Sequence, residues 1–402
     1  MNSCDFICFA NDWFADPLSK KQVMTRLARK HRILWINSIN NRRPQLAVKD
    51  FRRAFQKLAG FRRGLVKVEE RIWVLTPLYL PFHGIGLIRK LNRQLLGWQI
   101  RWTARRLGFT EPITWTFVPN SADVVGTLNE RCIVYHCVDE YGAFTDAGSE
   151  VPLREKELLL KSDLVIVCSD YLFRSKRRLN QHTDLVTHGV DFAHFSRAAT
   201  ESTPIPAELS KLSHPILGFH GLLADWVDLR MISEIASRRP SWSIVLIGRA
   251  ETDLSPVLGL PNVHLLGHRP YERLPEYLRG FDFAILPFVC NELTFNSNPL
   301  KLREYLAAGL PVISAPLPEA AKFRGRLDLA DTPEDYIRAV ERLMEKGEVG
   351  PSRGRSLQME CESWDHKVSE MENLLAAVLV QKGHVLADAD KPENTAEIQC
   401  QR

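Results

Sequence analysis

The sequence predicts an α/β protein with two doubly wound domains in tandem, and three observations lead to this fold class. The chain has 402 residues, of which 45% are hydrophobic and 25% charged, so it is long enough for two globular cores. Short apolar, β-branched segments alternate with helical patterns, as in a parallel sheet covered by helices. A polar segment with prolines at 196–215 interrupts the alternation, which then starts again. We therefore expect domains at 1–195 and 216–350, joined by a linker.

Each predicted element follows from a local pattern. The strands predicted in the first domain are 5–10, 32–38, 72–77, 113–118, 133–138, 163–169 and 184–189. The strands predicted in the second domain are 216–221, 242–248, 263–267, 281–288 and 311–315. Helices are predicted from Asp228, from Tyr271 and from Pro299, the last with Asn298 as its N-cap.

The two halves share a weak internal echo. Asp163 and Asp282 each stand at the start of a buried strand directly after a helix, which suits two similar domains. The tail at 387–402 has no hydrophobic periodicity, so we expect it to be disordered.

Cysteine usage and the chain start favour a reducing cytoplasm. The eight cysteines form no C-x-x-C pair and no zinc-type spacing, and Asp5 stands where a signal peptide would be basic. The sequence contains no run of 18 or more apolar residues, so we expect no membrane-spanning helix. Asp388 and Asp390 form a D-x-D motif of the kind that binds divalent cations, but they lie in the predicted disordered tail. We therefore expect no metal cofactor.

Lys301 is the residue that points most directly to a ligand. It falls in the first turn of the predicted helix from Pro299, where the partial positive charge of free N–H groups disfavours a cation unless an anion lies beside it. A phosphate or diphosphate would suit this helix N-terminus. Glu304 lies on the same helical face and could accept hydrogen bonds from ribose hydroxyls. The alternative is that Lys301 and Glu304 form an ordinary surface pair.

Three stretches resemble glycosyltransferases of the two-domain GT-B architecture. They read THGVDFAHF at 187–195, LLGHRPYERLPEYLRGFDFAILPF at 265–288 and NPLKLREYLAAGLPVISAP at 298–316. Residues 11–37 look more loosely like the opening of bacterial enzymes that build teichuronic-acid-type and exopolysaccharide chains. The resemblance implies two Rossmann-like domains facing across a cleft, and a C-terminal helix at 363–382 that packs back on the first domain.

The resemblance also implies an activity. Such enzymes move a sugar from a nucleotide diphosphate sugar to an acceptor, here a saccharide or a lipid-linked acceptor in cell-surface polysaccharide biosynthesis. Carried over, Lys301 would contact the diphosphate and Glu304 the ribose. The expected donor-binding residues of the second domain are Gly221, Arg249, Asn296, Asn298, Lys301 and Glu304. The alternative function is a non-catalytic protein of this fold that binds nucleotide sugars or acts as a scaffold.

Two departures from the family pattern concern the reaction outcome. Retaining members usually carry a glutamate eight residues before the ribose-binding one, and this chain has Asn296 there. They also usually place an arginine and a lysine after the glycine equivalent to Gly221, where this chain has Asp225 and Trp226. Arg249 could supply a phosphate contact from another loop. An inverting transfer is therefore slightly favoured.

An inverting transfer needs a general base near the attacking hydroxyl. Asp139 and Glu140 fall just past the carboxyl end of the predicted strand 133–138, where ligands bind in such sheets. We predict Asp139 as the base, with Glu140 in reserve. The alternative is that Asp139 only caps the following turn. His136, inside the strand, is expected to be a core histidine and not the base.

The charge is unevenly distributed along the chain. The total is +5, yet 42–71 alone has an excess of seven basic residues and 89–106 an excess of six. Both segments interleave Arg and Lys with apolar residues, a pattern that suits helices lying on the anionic inner face of the cell membrane. The predicted contacts of this membrane flank are Arg52, Arg53, Arg62 and Arg63. Plain solvated helix faces are the alternative, and nucleic-acid binding is not expected because no base-reading motif is present.

Overall fold

The computed structural model describes residues 3–37, 64–78, 86–143, 148 and 150–383, and the chain divides into two compact units. Unit 1 comprises Met1–Thr187 together with Val368–Arg402, and unit 2 comprises His188–Lys367. The predicted linker at 196–215 lies inside unit 2, where Ala198 and Leu209 are fully buried. The predicted membrane contacts Arg52, Arg53, Arg62 and Arg63 lie outside the described residues, as do Asp388, Asp390 and the tail at 387–402.

Unit 1 is built on an eight-stranded sheet. Its strands are β1 (Asp5–Phe9), β2 (Arg32–Ile36), β3 (Leu65–Glu69), β4 (Ile72–Leu75), β5 (Ile113–Thr116), β6 (Cys132–Cys137), β7 (Leu164–Val167) and β8 (Thr183–Leu185). They lie in the order β3-β4-β2-β1-β5-β6-β7-β8. Every neighbouring pair is parallel except β3 and β4. The α-helices described before residue 188 are α1 (Ser19–Leu27), α2 (Gly86–Arg106), α3 (Val151–Lys161) and α4 (Asp170–Lys176).

Unit 2 is built on a six-stranded parallel sheet. Its strands are β9 (Ile216–His220), β10 (Ser243–Ile247), β11 (Val263–Gly267), β12 (Phe283–Leu286), β13 (Val312–Ser314) and β14 (Asp328–Leu329), in the order β11-β10-β9-β12-β13-β14. Its helices are α5 (Phe192–Phe195), α6 (Leu229–Arg238), α7 (Leu274–Arg279), α8 (Glu292–Asn296), α9 (Leu300–Ala307), α10 (Pro318–Ala321), α11 (Pro333–Glu345) and α12 (Arg353–Leu357). Asp228 caps α6 by accepting a hydrogen bond from the Met231 N–H at 2.9 Å.

A last helix, α13 (Trp364–Gln381), begins in unit 2 and continues in unit 1. Its buried side chains within unit 1 are Val368, Met371, Leu375 and Leu379. Glu372 lies 3.2 Å from His31 Nε2, and Lys382 just beyond the helix pairs with Asp163 at 2.7 Å. The carboxyl-terminal helix is therefore part of the packing of unit 1.

The predicted strands are present, but most are shorter than the sequence pattern suggested. The segment 281–288 forms a strand only at Phe283–Leu286, because Pro287 has no N–H with which to continue the ladder. Strand β3 was not predicted: its residues LVKVE are only partly buried or exposed, and it pairs at one edge of the sheet through β4 alone. The short edge strand β14 was missed as well.

The aspartate echo has a common structural role. The Asp163 carboxylate accepts the Ile133 N–H at 2.8 Å, and the Asp282 carboxylate accepts the Ile216 N–H at 2.6 Å. Each aspartate thus satisfies a backbone donor at the start of the neighbouring strand, which has no ladder partner there. The same device orders one strand pair in each unit.

Strand order reverses once in each sheet. The chain moves from β1 through β2 to β4, then returns to place β5 on the other side of β1; likewise it moves from β9 through β10 to β11, then places β12 on the other side of β9. Parallel sheets bind ligands beyond the carboxyl ends of the strands at such switch points. The switch points lie between β1 and β5 in unit 1 and between β9 and β12 in unit 2, and the loops after β6 and β10 follow nearby strands at the same edges.

Candidate functional site

The carboxyl ends of β9 and β10 approach each other so closely that both need glycine. Gly221 and Gly248 have φ values of +147° and +148°, which other residues rarely adopt. A Cβ atom on Gly248 would lie 1.7 Å from the Gly221 carbonyl oxygen. The Gly221 N–H in turn donates to the Ile247 carbonyl at 2.8 Å. The two glycines therefore fix a tight backbone junction at this edge of the sheet.

A cavity of about 480 Å³ opens beside this junction. It lies among the ends of β10 and β11 and the loops that follow them, and its wall includes Leu223, Gly248, Arg249, Leu254, Gly267 and His268. Predicted donor-binding residue Arg249 is exposed and lines the cavity. A concave, largely apolar cavity of this size with a few polar groups is typical of small-molecule sites.

Lys301 and Glu304 lie on the other side of Gly221. A Cβ atom on Gly221 would be 3.2 Å from Lys301 Cε, so the lysine stem packs against this glycine. Lys301 Nζ is 3.1 Å from Glu304 Oε2, and the two side chains are only 24% and 11% exposed. The pair that was the alternative to ligand binding does form, but both side chains are part-buried at the sheet edge.

The N-terminus of α9 differs from the predicted one. Pro299 is the N-cap and the helix starts at Leu300, so the prediction that Asn298 caps a helix beginning at Pro299 was wrong. Asn298 is buried, accepts a hydrogen bond from Arg303 and donates to Glu319 at 3.3 Å, so its side chain is committed to that network. Lys301 still falls in the first turn, which has neither a side-chain cap nor an acidic residue. The free N–H groups of this turn remain suited to an anion.

Sequence reasoning missed two residues that hold this group together. His220, the last residue of β9, is buried with Nε2 3.3 Å from Glu304 Oε2. Its N–H donates to the Tyr305 hydroxyl at 2.8 Å, which fixes α9 against the end of β9. Burial, and next the charge of Lys301, hold the pKa of His220 well below its usual range, so the ring is neutral. The predicted donor-binding residue Asn296, at the end of α8, is buried as well.

In unit 1, Asp139 follows β6 by two residues, at the predicted edge of the sheet. Burial raises the pKa of Asp139 to about 6, although the positive charge of Lys20 lowers it in part. A carboxylate with such a pKa is suited to accept a proton near neutral pH. His136, by contrast, is fully buried in the strand, and burial lowers its pKa to about 3, so it is a neutral core histidine.

Lys20 was not singled out from the sequence. It is the second residue of α1, its residue surface is only 6% exposed, and its Nζ donates to Asn11 Oδ1 at 3.0 Å. The ammonium also lies 5.6 Å from the centre of the Tyr141 ring, in the loop that carries Asp139. Lys20 therefore brings a buried positive charge to the loops after β1 and β6.

Glu140, the reserve candidate, is committed to an ion-pair network. Both of its carboxylate oxygens lie 3.0 Å from Lys176 Nζ, and the same nitrogen is 2.8 Å from Glu155. Glu155 also accepts a hydrogen bond from the Tyr135 hydroxyl at 2.7 Å. Burial disfavours the ammonium, but the negative charges of Glu155 and Glu140 outweigh it and raise the pKa of Lys176. This network anchors the residue next to Asp139.

Comparisons with known proteins agree with this architecture. Residues 214–346 match the family model described as glycosyl transferases group 1. The chain is 28% identical over 235 residues to TuaH of Bacillus subtilis (strain 168), which is named as a teichuronic acid biosynthesis glycosyltransferase. That alignment covers 53% of this chain and 58% of TuaH, so the chain spans little more than half the length of this relative. The predicted resemblance to group 1 glycosyltransferases is confirmed.

Solved structures resemble the whole fold. Sucrose-phosphate synthase from Thermosynechococcus elongatus has a TM-score of 0.66 at 14% identity, covering 94% of this chain and 100% of that one. Anabaena HepE in complex with UDP has a TM-score of 0.65 at 13% identity, covering 93% and 100%. Starch synthase IV from Arabidopsis thaliana, bound to ADP and acarbose, has a TM-score of 0.64 at 12% identity, covering 94% and 100%. The predicted GT-B fold is confirmed.

Proposed function

Starting from a GT-B chain whose residues 214–346 match group 1 glycosyl transferases, we propose that the protein transfers a sugar from a nucleotide diphosphate sugar to a saccharide or lipid-linked acceptor in cell-surface polysaccharide biosynthesis. The observation that carries this proposal is the continuous surface in unit 2 formed by the cavity, the Gly221–Gly248 junction and the uncapped first turn of α9. Along this surface lie an apolar recess, a backbone junction without side chains at Gly221 and Gly248, and the ammonium of Lys301.

Each part of that surface suits one part of a nucleoside diphosphate. The recess lined by Leu223, Leu254 and His268 would take the nucleoside. The first-turn N–H groups of α9 and the ammonium of Lys301 would take the diphosphate, since both favour negative charge. Glu304, paired with Lys301, would accept hydrogen bonds from the ribose hydroxyls. Two structural relatives support this choice of ligand, as HepE was solved with UDP and starch synthase IV with ADP.

The function is tested first by ligand binding and then by turnover. A ligand that binds the native state raises the thermal midpoint by mass action, so a screen of nucleotide sugars should identify the donor. Transfer to an acceptor, or hydrolysis of the donor, then separates an enzyme from the alternative of a non-catalytic binding or scaffolding protein. Failure of every nucleotide sugar and nucleoside diphosphate to raise the midpoint would contradict the donor proposal.

Lys301→Ala should weaken nucleoside diphosphate binding by roughly 1.5 to 3 kcal/mol, the range for hydrogen bonds to charged groups. Calorimetric titration measures this loss, and Glu304→Ala should also weaken binding. The matched control is Arg338→Ala, because Arg338 pairs with Asp335 at the same i, i+3 spacing on α11 but is 72% exposed. Unchanged affinity in Lys301→Ala would remove the diphosphate from this position.

For the chemical step, we favour an inverting transfer without a metal. Asp139 would take the proton from the acceptor hydroxyl, supported by its pKa of about 6 and its place beyond β6. Asn296 stands where retaining members carry a glutamate, and Lys301 with Arg249 would supply the positive charge for the diphosphate. The anomeric configuration of the product tests this choice, and a retained configuration would exclude the base mechanism.

We also propose that the protein binds the inner face of the membrane through α2. Leu91, Trp98 and Trp102 recur at spacings of seven and four, so they share one helical face, and both tryptophans are more than half exposed. Their rings stack at 6.4 Å, and Arg106 lies 5.4 Å from the centre of the Trp102 ring. Apolar side chains with flanking basic residues are typical of helices that lie in an anionic interface. Across the described ranges, no helix has the length and hydropathy that crossing a bilayer requires.

The double substitution Trp98→Ser with Trp102→Ser should reduce binding to anionic vesicles at least roughly tenfold, because burial of half a tryptophan surface contributes about 2 kcal/mol. Co-sedimentation measures the loss. Leu160→Ser is the matched control, since Leu160 is 64% exposed but lies on α3 and is not part of the Trp98–Trp102 face of α2. Wild-type binding should be much weaker to zwitterionic vesicles. Equal binding to both vesicle types would exclude the electrostatic part, and the absence of binding to either would leave the face simply solvated.

A further inference from the structure

Lys20 is a buried cation with no role so far in the proposed binding of the donor or in the proposed proton transfer. In the part of the chain that the structure describes, the Lys20 ammonium donates one hydrogen bond, to Asn11, and no ion pair within 4.0 Å joins it to Asp139. Burying an ammonium without a contacting counter-charge is costly, and burial indeed lowers the pKa of Lys20. Because burying this ammonium costs free energy, we expect Lys20 to have a role that requires its charge.

Of the described groups that interact electrostatically with Lys20, Asp139 is the one that carries a charge. Burial raises the pKa of the Cys8 and Cys137 thiols and of the Tyr141 phenol well above their usual values, so all three stay neutral. His136 is neutral because burial lowers its pKa to about 3. Asp139 is the group on which the influence of Lys20 falls.

Among the described residues, two further carboxylates near this loop are paired with a lysine. Glu140 and Glu155 both contact Lys176, whose ammonium lies within 3.0 Å of each carboxylate. That network is internally paired, so it neither neutralises Asp139 nor competes for Lys20. Asn11 meanwhile holds the Lys20 ammonium in the loop after β1, on the side of the Tyr141 ring.

We propose that Lys20 is a positioning residue that keeps the Asp139 carboxylate in its charged, proton-accepting form without forming an ion pair with it. An ion pair in contact would occupy the carboxylate oxygens and stabilise them against accepting a proton. A cation that does not contact the carboxylate opposes the effect of burial through its field alone and leaves those oxygens open. This inference rests on the proposed role of Asp139 as general base.

The electrostatic effect has a defined sign. In a buried site the neutral acid is favoured, which raises the pKa of Asp139, and Lys20 works in the opposite direction. Removing the cation should therefore raise the pKa of Asp139 further. The base would then be protonated over a wider range, and the acid limb of the kcat/KM profile should move to higher pH.

The test compares Lys20→Met with Lys20→Arg. The methionine variant keeps the length and apolar stem without the charge, and we expect the titration midpoint of Asp139 to rise by about 1 to 3 pH units, the range for loss of a nearby opposite charge. Carboxyl ¹³C NMR of aspartate-labelled protein measures the midpoint, with the resonance assigned through its loss in Asp139→Asn. Lys20→Arg should restore the wild-type midpoint. Lys20→Gln, which keeps a donor for Asn11, serves as a second neutral variant should Lys20→Met fail to fold.

Lys21→Met is the matched control. Lys21 is the next residue of α1, but its Nζ donates to the Trp13 carbonyl at 3.2 Å and lies 4.6 Å from the Trp13 ring centre. Its removal should leave both the midpoint and the acid limb in place. An unchanged Asp139 midpoint in both neutral Lys20 variants would overturn the proposal. A raised midpoint with an unmoved acid limb would support the role of Lys20 and overturn the role of Asp139 as the base.

Discussion

Asp139→Asn should lower turnover by about 10² to 10⁴-fold while leaving nucleotide affinity unchanged, because general-base catalysis acts in the transition state and the nucleotide is proposed to bind in unit 2. Steady-state transfer assays and calorimetry measure the two quantities separately. Since the pKa of Asp139 is about 6, wild-type kcat/KM should also fall as the pH drops below about 6, where the carboxylate takes up a proton.

The reserve candidate provides the comparison. Glu140→Gln removes one partner of Lys176, so we expect a lower thermal midpoint but substantial turnover at temperatures below it. Near-normal turnover of Asp139→Asn would exclude Asp139 as the base. Loss of turnover in Glu140→Gln with unchanged stability would transfer the role to Glu140.

The second large effect concerns stability. Lys176→Met should lower the free energy of unfolding of unit 1 by about 3 to 5 kcal/mol, because it leaves the buried Glu155 and the part-buried Glu140 without their cation. Urea unfolding followed by aromatic fluorescence measures the loss, and nucleotide affinity in unit 2 should persist.

A surface pair on α3 supplies the matched control. Lys161 pairs with Glu157 at 2.7 Å, but the two side chains are 31% and 41% exposed, so Lys161→Met should cost less than about 1 kcal/mol. A loss in Lys176→Met no larger than this control would show that the buried network contributes little to stability.

The sequence predicted those features that local patterns encode. Strand β7, with the residues LVIV, is buried on both faces, and such a continuous apolar run is itself the signal of a central parallel strand. The position of Lys301 in a first turn also followed from the sequence, although the cap did not. Pro299 takes the cap position with an extended backbone, while Asn298 is drawn into a buried contact with Arg303.

The features that were missed depend on contacts between distant parts of the chain. Lys20 looks like one of two adjacent lysines on an ordinary helix until folding places it near Asp139. Glu140 looks as suitable a base as Asp139 until Lys176, 36 residues later, occupies both of its oxygens. His220 reads as part of a buried strand, and only the folded unit shows that it contacts Glu304. No local periodicity carries this information.

Unit 1 is formed by two separate segments of the chain, and this has a consequence for its synthesis on the ribosome. Residues up to Thr187 need Val368 and the rest of α13 to complete their core, and unit 2 is translated in between. At about 5 to 20 residues per second, this delay is on the order of 10 to 40 seconds. During that interval, the apolar strip later covered by Met371, Leu375 and Leu379 stays open to water and to chaperones. The part of the chain made first is therefore the last to mature, whereas unit 2 emerges as one uninterrupted stretch.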